Sequence, residues 1–208
     1  TTGSENTAVG KEALYTNNGS NNSAFGITSM YANTTGAQNT SVGQSSLKAN
    51  TTGSYSTAIG RTAMFSNTTG NDNTALGVSA MHTQTTALSN TGVGYQALYT
   101  VDGNGTTGSN NVAVGRKAGY NMSTGYRNVC VGNNAGERIT TGYQNTCVGN
   151  IAGYSTGQTG YNNTLLGYNA QCPADGTNNH FVLGNGSVDA LTCQQTSISG
   201  LSDRRDKK

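Results

Sequence analysis

Ser202 stands five residues ahead of Lys207 in the run Ser202-Asp203-Arg204-Arg205-Asp206-Lys207. A serine near a lysine is a workable nucleophile and general base, provided the lysine is desolvated enough to lose its proton. Read by itself, the run is more simply a solvated charged tail. Cys130 and Cys147 occupy the same slot of two successive phrases, where other phrases carry Ala8, Ala58 or Ala113. Stacked strands would bring their Cα atoms to about 4.8 Å, within disulfide range, yet a slot kept for small residues favours thiols as apolar filler. Cys172 and Cys193 match no metal-ligand spacing, and His82 and His180 lie far apart with no carboxylate cluster beside them, so neither metal nor cofactor is expected. Gly103-Asn104-Gly105-Thr106-Thr107-Gly108 has a dinucleotide-type glycine spacing. No amphipathic helix follows it, and it reads as turn glycine.

Rings also recur. Tyr15, Tyr31, Phe65, His82, Tyr99, Tyr120 and Tyr154 each follow a small-residue pair or a small–bulky one. Such a column either offers rings for sugars to stack on, with Tyr15, Tyr31, Tyr99, Tyr120 and Tyr154 as the candidates, or is an intramolecular ladder or part of a subunit interface; the ladder or interface is the more economical reading. Asn33-Thr34-Thr35, Asn50-Thr51-Thr52 and Asn67-Thr68-Thr69 fit the N-glycosylation triplet, although an Asn- and Thr-rich chain produces such triplets by composition alone.

The elements that hold these residues follow from composition and period. Of 208 residues, 30 are Gly, 32 Thr, 27 Asn and 19 Ser, just over half the chain. Hydrophobic residues are 33%, charged residues 10%, with one Pro and no Trp, which excludes a helical bundle or coiled coil. No apolar run approaches the ~20 residues of a transmembrane helix. No leader is apparent and Thr1 falls inside a pattern, so the sequence reads as an excised piece. Six of the twenty charges lie in the last six positions, leaving seven basic and seven acidic residues elsewhere. That body reads as a neutral surface of hydroxyls and amides with no basic stripe for nucleic acid.

Disorder is the default for so polar a chain, but the sequence is periodic. A phrase close to Asn-Thr-Ala-Val-Gly recurs with its glycine at 10, 26, 43, 60, 77, 94, 115, 132, 149, 167 and 184, most steps being 17 residues. That period suits one coil of a β-solenoid. Each coil is expected to hold two short strands: one at Thr7 to Gly10 or Thr57 to Gly60, the second at Ala13-Leu14-Tyr15 or Ala63-Met64-Phe65. Thr-Thr-Gly turns, as at Thr51-Thr52-Gly53, link the coils. Both faces of the first strand are small or apolar, so it is expected to be covered twice, by its own coil and by another copy of the chain. The expected architecture is therefore all-β: a parallel β-solenoid or β-roll of about eleven 17-residue coils, roughly 50 Å long, in an intertwined or side-by-side homotrimer. Residues 1–100 form a first section with a bulky slot residue (Leu14, Met30, Leu47, Met64, Met81, Leu98), and 101–184 a second with Gly119, Gly136 and Gly153 there. Residues 185–201 read as a neck.

The coils resemble the head repeats of trimeric autotransporter adhesins, left-handed parallel β-rolls whose repeats are usually shorter, and equally repeats of viral tail fibres. This likeness covers residues 1–184. Leu201-Ser202-Asp203-Arg204-Arg205-Asp206-Lys207 resembles the opening Ser-Asp-x-Arg-x-Lys of the C-terminal intramolecular chaperone of phage endosialidases and related tail spikes. The resemblance implies a module, starting at 202–208, that assists trimerisation and is then released by autoproteolysis, with Ser202 as nucleophile and Lys207 as base. With one residue beyond Lys207, the domain that would bury the dyad is missing, and the 208 residues are not expected to be an active enzyme. The expected function is the structural and adhesive shaft of a trimeric viral fibre, carried outside the cell on the virion and binding a host receptor or glycan. A cellular adhesin, with a membrane anchor in place of the chaperone, is the nearest rival. An ice-binding solenoid needs an unbroken Thr ladder, and Thr85-Thr86-Ala87 and Asn17-Asn18-Gly19 interrupt the turn one. A polysaccharide-cutting enzyme needs paired carboxylates, from only nine Asp and Glu.

Overall fold

The computed structural model describes residues 2–103, 107–154 and 159–188. Eleven three-residue strands are present: β1 (Thr7–Val9), β2 (Ser23–Phe25), β3 (Thr40–Val42), β4 (Thr57–Ile59), β5 (Thr74–Leu76), β6 (Thr91–Val93), β7 (Val112–Val114), β8 (Val129–Val131), β9 (Thr146–Val148), β10 (Thr164–Leu166) and β11 (Phe181–Leu183). They form one sheet in sequential order. Pairing is parallel and follows the repeat, with Thr57 opposite Thr74, Ala58 opposite Ala75 and Ile59 opposite Leu76. The long step after Gly94 does not shift this register, since Thr91 pairs with Val112. The fold is a β-solenoid without helix among the described residues.

The glycine that closes each of β1 to β9 is required twice over. Gly43 and Gly60 both have φ +135, a conformation open to glycine alone, and a Cβ on Gly43 would meet the Gly60 carbonyl oxygen at 2.6 Å. Identical backbone stacks on identical backbone with no room between.

The second strand expected in each coil is absent. Ala63-Met64-Phe65 lies in a turn, because Thr62 and Met64 take left-handed φ values of 55° and 49° that break extended backbone. The coil-to-coil hydrogen bonds continue there regardless: Met64 N–H donates to Ala80 O at 2.9 Å, and Ser66 N–H to His82 O at 3.1 Å. A left-handed non-glycine residue costs about 1–2 kcal/mol, which full burial of a Met or Leu side chain at that corner offsets.

The core is narrow. Its inner row runs through Ala24, Ala58, Ala75, Ala113, Cys130, Cys147 and Leu165, facing Met30, Leu47, Met64, Met81 and Leu98. In the second section the bulky corner residue becomes glycine, and the volume moves three positions on, to buried Met122 and Ile139. A Cβ on Gly119 would sit 2.8 Å from Leu98 and 3.3 Å from Met122.

The amides correct the picture of an all-surface polar coat. Asn22, Asn39, Asn73, Asn90, Asn111 and Asn128 are buried beside the strands. Asn39 is typical: its Nδ2 donates to Gly53 O at 2.8 Å, and its Oδ1 accepts from Ser56 N–H at 2.9 Å. A second ladder lines the opposite corner, where Asn50 Nδ2 donates to Asn33 Oδ1 at 2.7 Å and Asn67 Nδ2 to Asn50 Oδ1 at 2.8 Å. Asn33, Asn50 and Asn67 are fully buried, so none of these triplets accepts a glycan in the folded chain.

Only one face of the sheet is covered within the chain. The middle residue of each strand points inward, while Val9, Phe25, Val42, Ile59, Leu76, Val114 and Val148 point out, with Val9 55% and Leu76 44% exposed. Beside this apolar row runs a second outer row through Thr40, Thr57, Thr74 and Thr91.

Candidate functional site

Ser202 and Lys207 lie outside the described residues, as do Cys193 and the centre of the Gly103–Gly108 pattern. Cys130 and Cys147 are direct register partners, both buried and both free thiols. A hydrogen bond with Cys130, together with burial, pushes the Cys147 thiol well up. Both side chains fill the inner row of the core. Cys172 is also a buried free thiol, raised by burial. Among the described residues no three His, Cys, Asp or Glu side chains gather to hold a metal. His180 ends the Asn ladder, its N–H donating to Asn163 Oδ1 at 3.0 Å.

The rings form an intramolecular column. Tyr15 stacks on Tyr31 with centroids 5.2 Å apart; Phe65, His82, Tyr99 and Tyr120 form a continuous run at 5.0–5.1 Å. Each ring meets the next at the coil spacing. His82 is held inside this stack with Nδ1 buried and unpartnered, and burial depresses its pKa. Burial first, then neighbouring Tyr99, Tyr95 and Glu137, raises that of Tyr120. A second column of Tyr126, Tyr143 and Tyr161, at 4.9 Å, was not anticipated; its signal in the sequence is a tyrosine directly after the turn glycines Gly125, Gly142 and Gly160.

A stacked ring gives its faces to its neighbours, so the five candidate tyrosines are open on a face only at ends and breaks. The first column breaks twice, at Lys48 and Glu137, which hold the same slot of their coils. Lys48 lies over Phe65, with Nζ 5.5 Å from the ring centroid. At the other break the rings are again backed by cations: Lys117 lies over Tyr120 at 5.1 Å and the Arg138 guanidinium over Tyr154 at 4.8 Å. The tyrosines there hold cations in place instead of presenting bare platforms.

Beside Glu137 a groove of about 430 Å³ opens, lined by Thr100, Asn121, Ser123, Glu137, Arg138 and Thr140. Glu137 Oε2 is buried and accepts no hydrogen bond. Among the described residues the one ion pair is Lys11 with Glu12, so Glu137 and Arg138 share the groove without pairing. Thr100 Oγ1 donates to Tyr120 O at 2.8 Å and Ser123 Oγ to Thr140 O at 3.2 Å.

No family model, no curated protein and no solved structure matches this chain.

Proposed function

We propose that this chain is the shaft of a trimeric, phage-type viral tail fibre or spike, structural and adhesive in role and matured by autocleavage at the Ser202 region. The observation that carries the proposal is the outer row of the sheet. One apolar side chain per coil, from Val9 to Leu183, stands exposed or half-exposed (Val93, Val131 and Leu166) on strands that bear no charged residue. An apolar stripe of this length on a rigid rod is an interaction surface. Its natural occupant is the same stripe on identical rods, which matches it residue for residue in spacing and chemistry. Three copies around one axis, as the likeness to trimeric adhesins and fibres suggests, give each stripe a cover and leave the polar sides outward. Threefold presentation then multiplies a weak surface contact by avidity. The serine–lysine motif adds the maturation step. Once a following domain desolvates it, Lys207 takes the Ser202 hydroxyl proton as Oγ attacks a peptide carbonyl; the C–N bond breaks with that proton going to the released amine, and water hydrolyses the ester.

An ice-binding solenoid is the second reading, favoured by the in-register outer row of Thr40, Thr57, Thr74 and Thr91. Ser23, Val112 and Val129 interrupt that row.

The test is gel and mass analysis of the protein expressed with whatever sequence follows Lys208, beside its Ser202→Ala twin. The reading predicts a cut next to Ser202 and an SDS-resistant trimer in the parent, with the variant uncut. If neither protein is cut, autoproteolysis is excluded and the adhesin and ice-binding readings gain.

A further inference from the structure

We infer that the groove beside Glu137 is a subsite for an uncharged hexopyranose unit of a surface glycan. The inference rests on the adhesive reading and supplies it with a place and a ligand class.

The break in the ring column makes the groove. Tyr120 and Tyr154 stand two coils apart, roughly 10 Å at the strand spacing. At the Lys48 break the side chain closes on the neighbouring ring, because a cation is drawn to an aromatic face. A carboxylate is repelled by the same face, so Glu137 leaves its gap open. The resulting volume lies at the lower end of the range for small-ligand sites.

The hydrogen-bonding inventory decides the ligand class. Glu137 is acceptor-only and its carboxylate makes no hydrogen bond among the described residues; with Oε2 buried, the other oxygen is the one left to meet an incoming hydroxyl. Thr100 and Ser123 already donate their hydroxyl protons to backbone carbonyls, which leaves them lone pairs to offer. These three groups need a ligand that donates, and a sulfate or carboxylate has no proton to give. Arg138 supplies donors in a fixed fork, held over Tyr154 so that little freedom is lost on binding. Asn121, whose carboxamide makes no hydrogen bond among the described residues, supplies one group of each kind. Each hydroxyl of a neutral sugar both donates and accepts, which suits a lining of one acceptor-only carboxylate, one donor-only guanidinium and neutral hydroxyls and amide, with Lys117 engaged over Tyr120. Glu137 lies six residues past Val131 of the outer row, about a third of a 17-residue coil away.

The test is saturation-transfer NMR and calorimetry on the 208-residue protein. The probes are glucose, galactose, mannose and N-acetylglucosamine oligomers, with sialic acid and glucuronate as acidic comparisons. At least one neutral sugar should bind, and Arg138→Ala and Asn121→Ala should each weaken it, the former about tenfold or more, as expected for a lost charged hydrogen bond. Glu137→Tyr is the decisive variant: it completes the ring column, keeps the parent's circular dichroism, and abolishes binding. The inference is overturned if no neutral sugar binds, if the acidic sugars bind more tightly, or if Glu137→Tyr binds like the parent. Sedimentation of the same samples reads the oligomer separately: a monomer that binds the neutral sugar supports this site and sinks the trimeric reading.

Discussion

A methyl group placed on Gly136 would come within 2.4 Å of Cys130 Sγ and 3.0 Å of Ile139 Cδ1. The second section of the solenoid has thus moved its core volume from one corner to another: where Met64 or Leu98 fills the corner earlier in the array, glycine yields to a thiol and to Ile139. Gly136→Ala must pay for both the clash and a left-handed φ of 58°, and a loss of about 2–4 kcal/mol is expected. In the double variant Cys130→Ala, Gly136→Ala the steric part should vanish while the conformational part remains. Denaturant melts of the four proteins of this cycle measure it; strict additivity would refute the packing account.

Asn39 joins three coils, bonding to Gly53 O, Ser56 N–H and Asn22 Oδ1 in a site shut off from water. Asn39→Ala should orphan the buried Ser56 N–H and leave Gly53 O with Asn50 Nδ2 alone, at a cost of about 1–3 kcal/mol. Thermal melts read the loss. Gln44→Ala, at an exposed site of the same coil, should leave the melting temperature within a degree or two, because surface changes away from such features move stability by only about 0.5 kcal/mol.

His82 gives the stability a pH dependence. Its folded pKa lies below the unfolded value, so the unfolded chain binds the proton more readily. The neutral ring's contribution is complete above the unfolded pKa, about 6.5, and is lost as pH falls through the folded pKa. The melting temperature should therefore drop between pH 7.5 and pH 5. His82→Phe, which keeps the stack between Phe65 and Tyr99, should flatten that dependence; an unchanged slope in the variant would assign it elsewhere.

The repeat, the parallel stacking and the inner row were legible because their causes are local. A glycine with φ near +135 and no space for a Cβ recurs at the ends of β1 to β9, and a slot kept for small residues marks the strand residue that turns inward. The second strand was misjudged because Thr62 and Met64 adopt left-handed backbone without a glycine to announce it. The buried Asn ladders were read as surface, since burying an amide depends on a partner supplied by the next coil, as Asn50 finds in Asn33. The groove was hidden for a similar reason. Rings alone mark a column, whereas the break at Glu137 matters through Tyr120, Tyr154 and Arg138, which lie one residue to one turn away.

The outer strand row yields the prediction that separates an interface from an idle surface. Ile59→Asp changes a side chain that is 37% exposed in the single chain and packs in no core, so the fold itself should survive with unchanged circular dichroism. Self-association should fail, because three carboxylates would be forced together in an apolar seam. Arg61→Asp, two residues on and off the strand, should leave association intact.

The most direct measurement is the native mass, by sedimentation and native mass spectrometry, of the protein expressed with whatever follows Lys208 and of its Ile59→Asp form. The account predicts that the stretch of residues 1–208, 21.3 kDa per copy, is found in threefold assemblies in the parent and as single chains in the variant. A monomeric parent at micromolar concentration, or a variant that still assembles in threes, would contradict it.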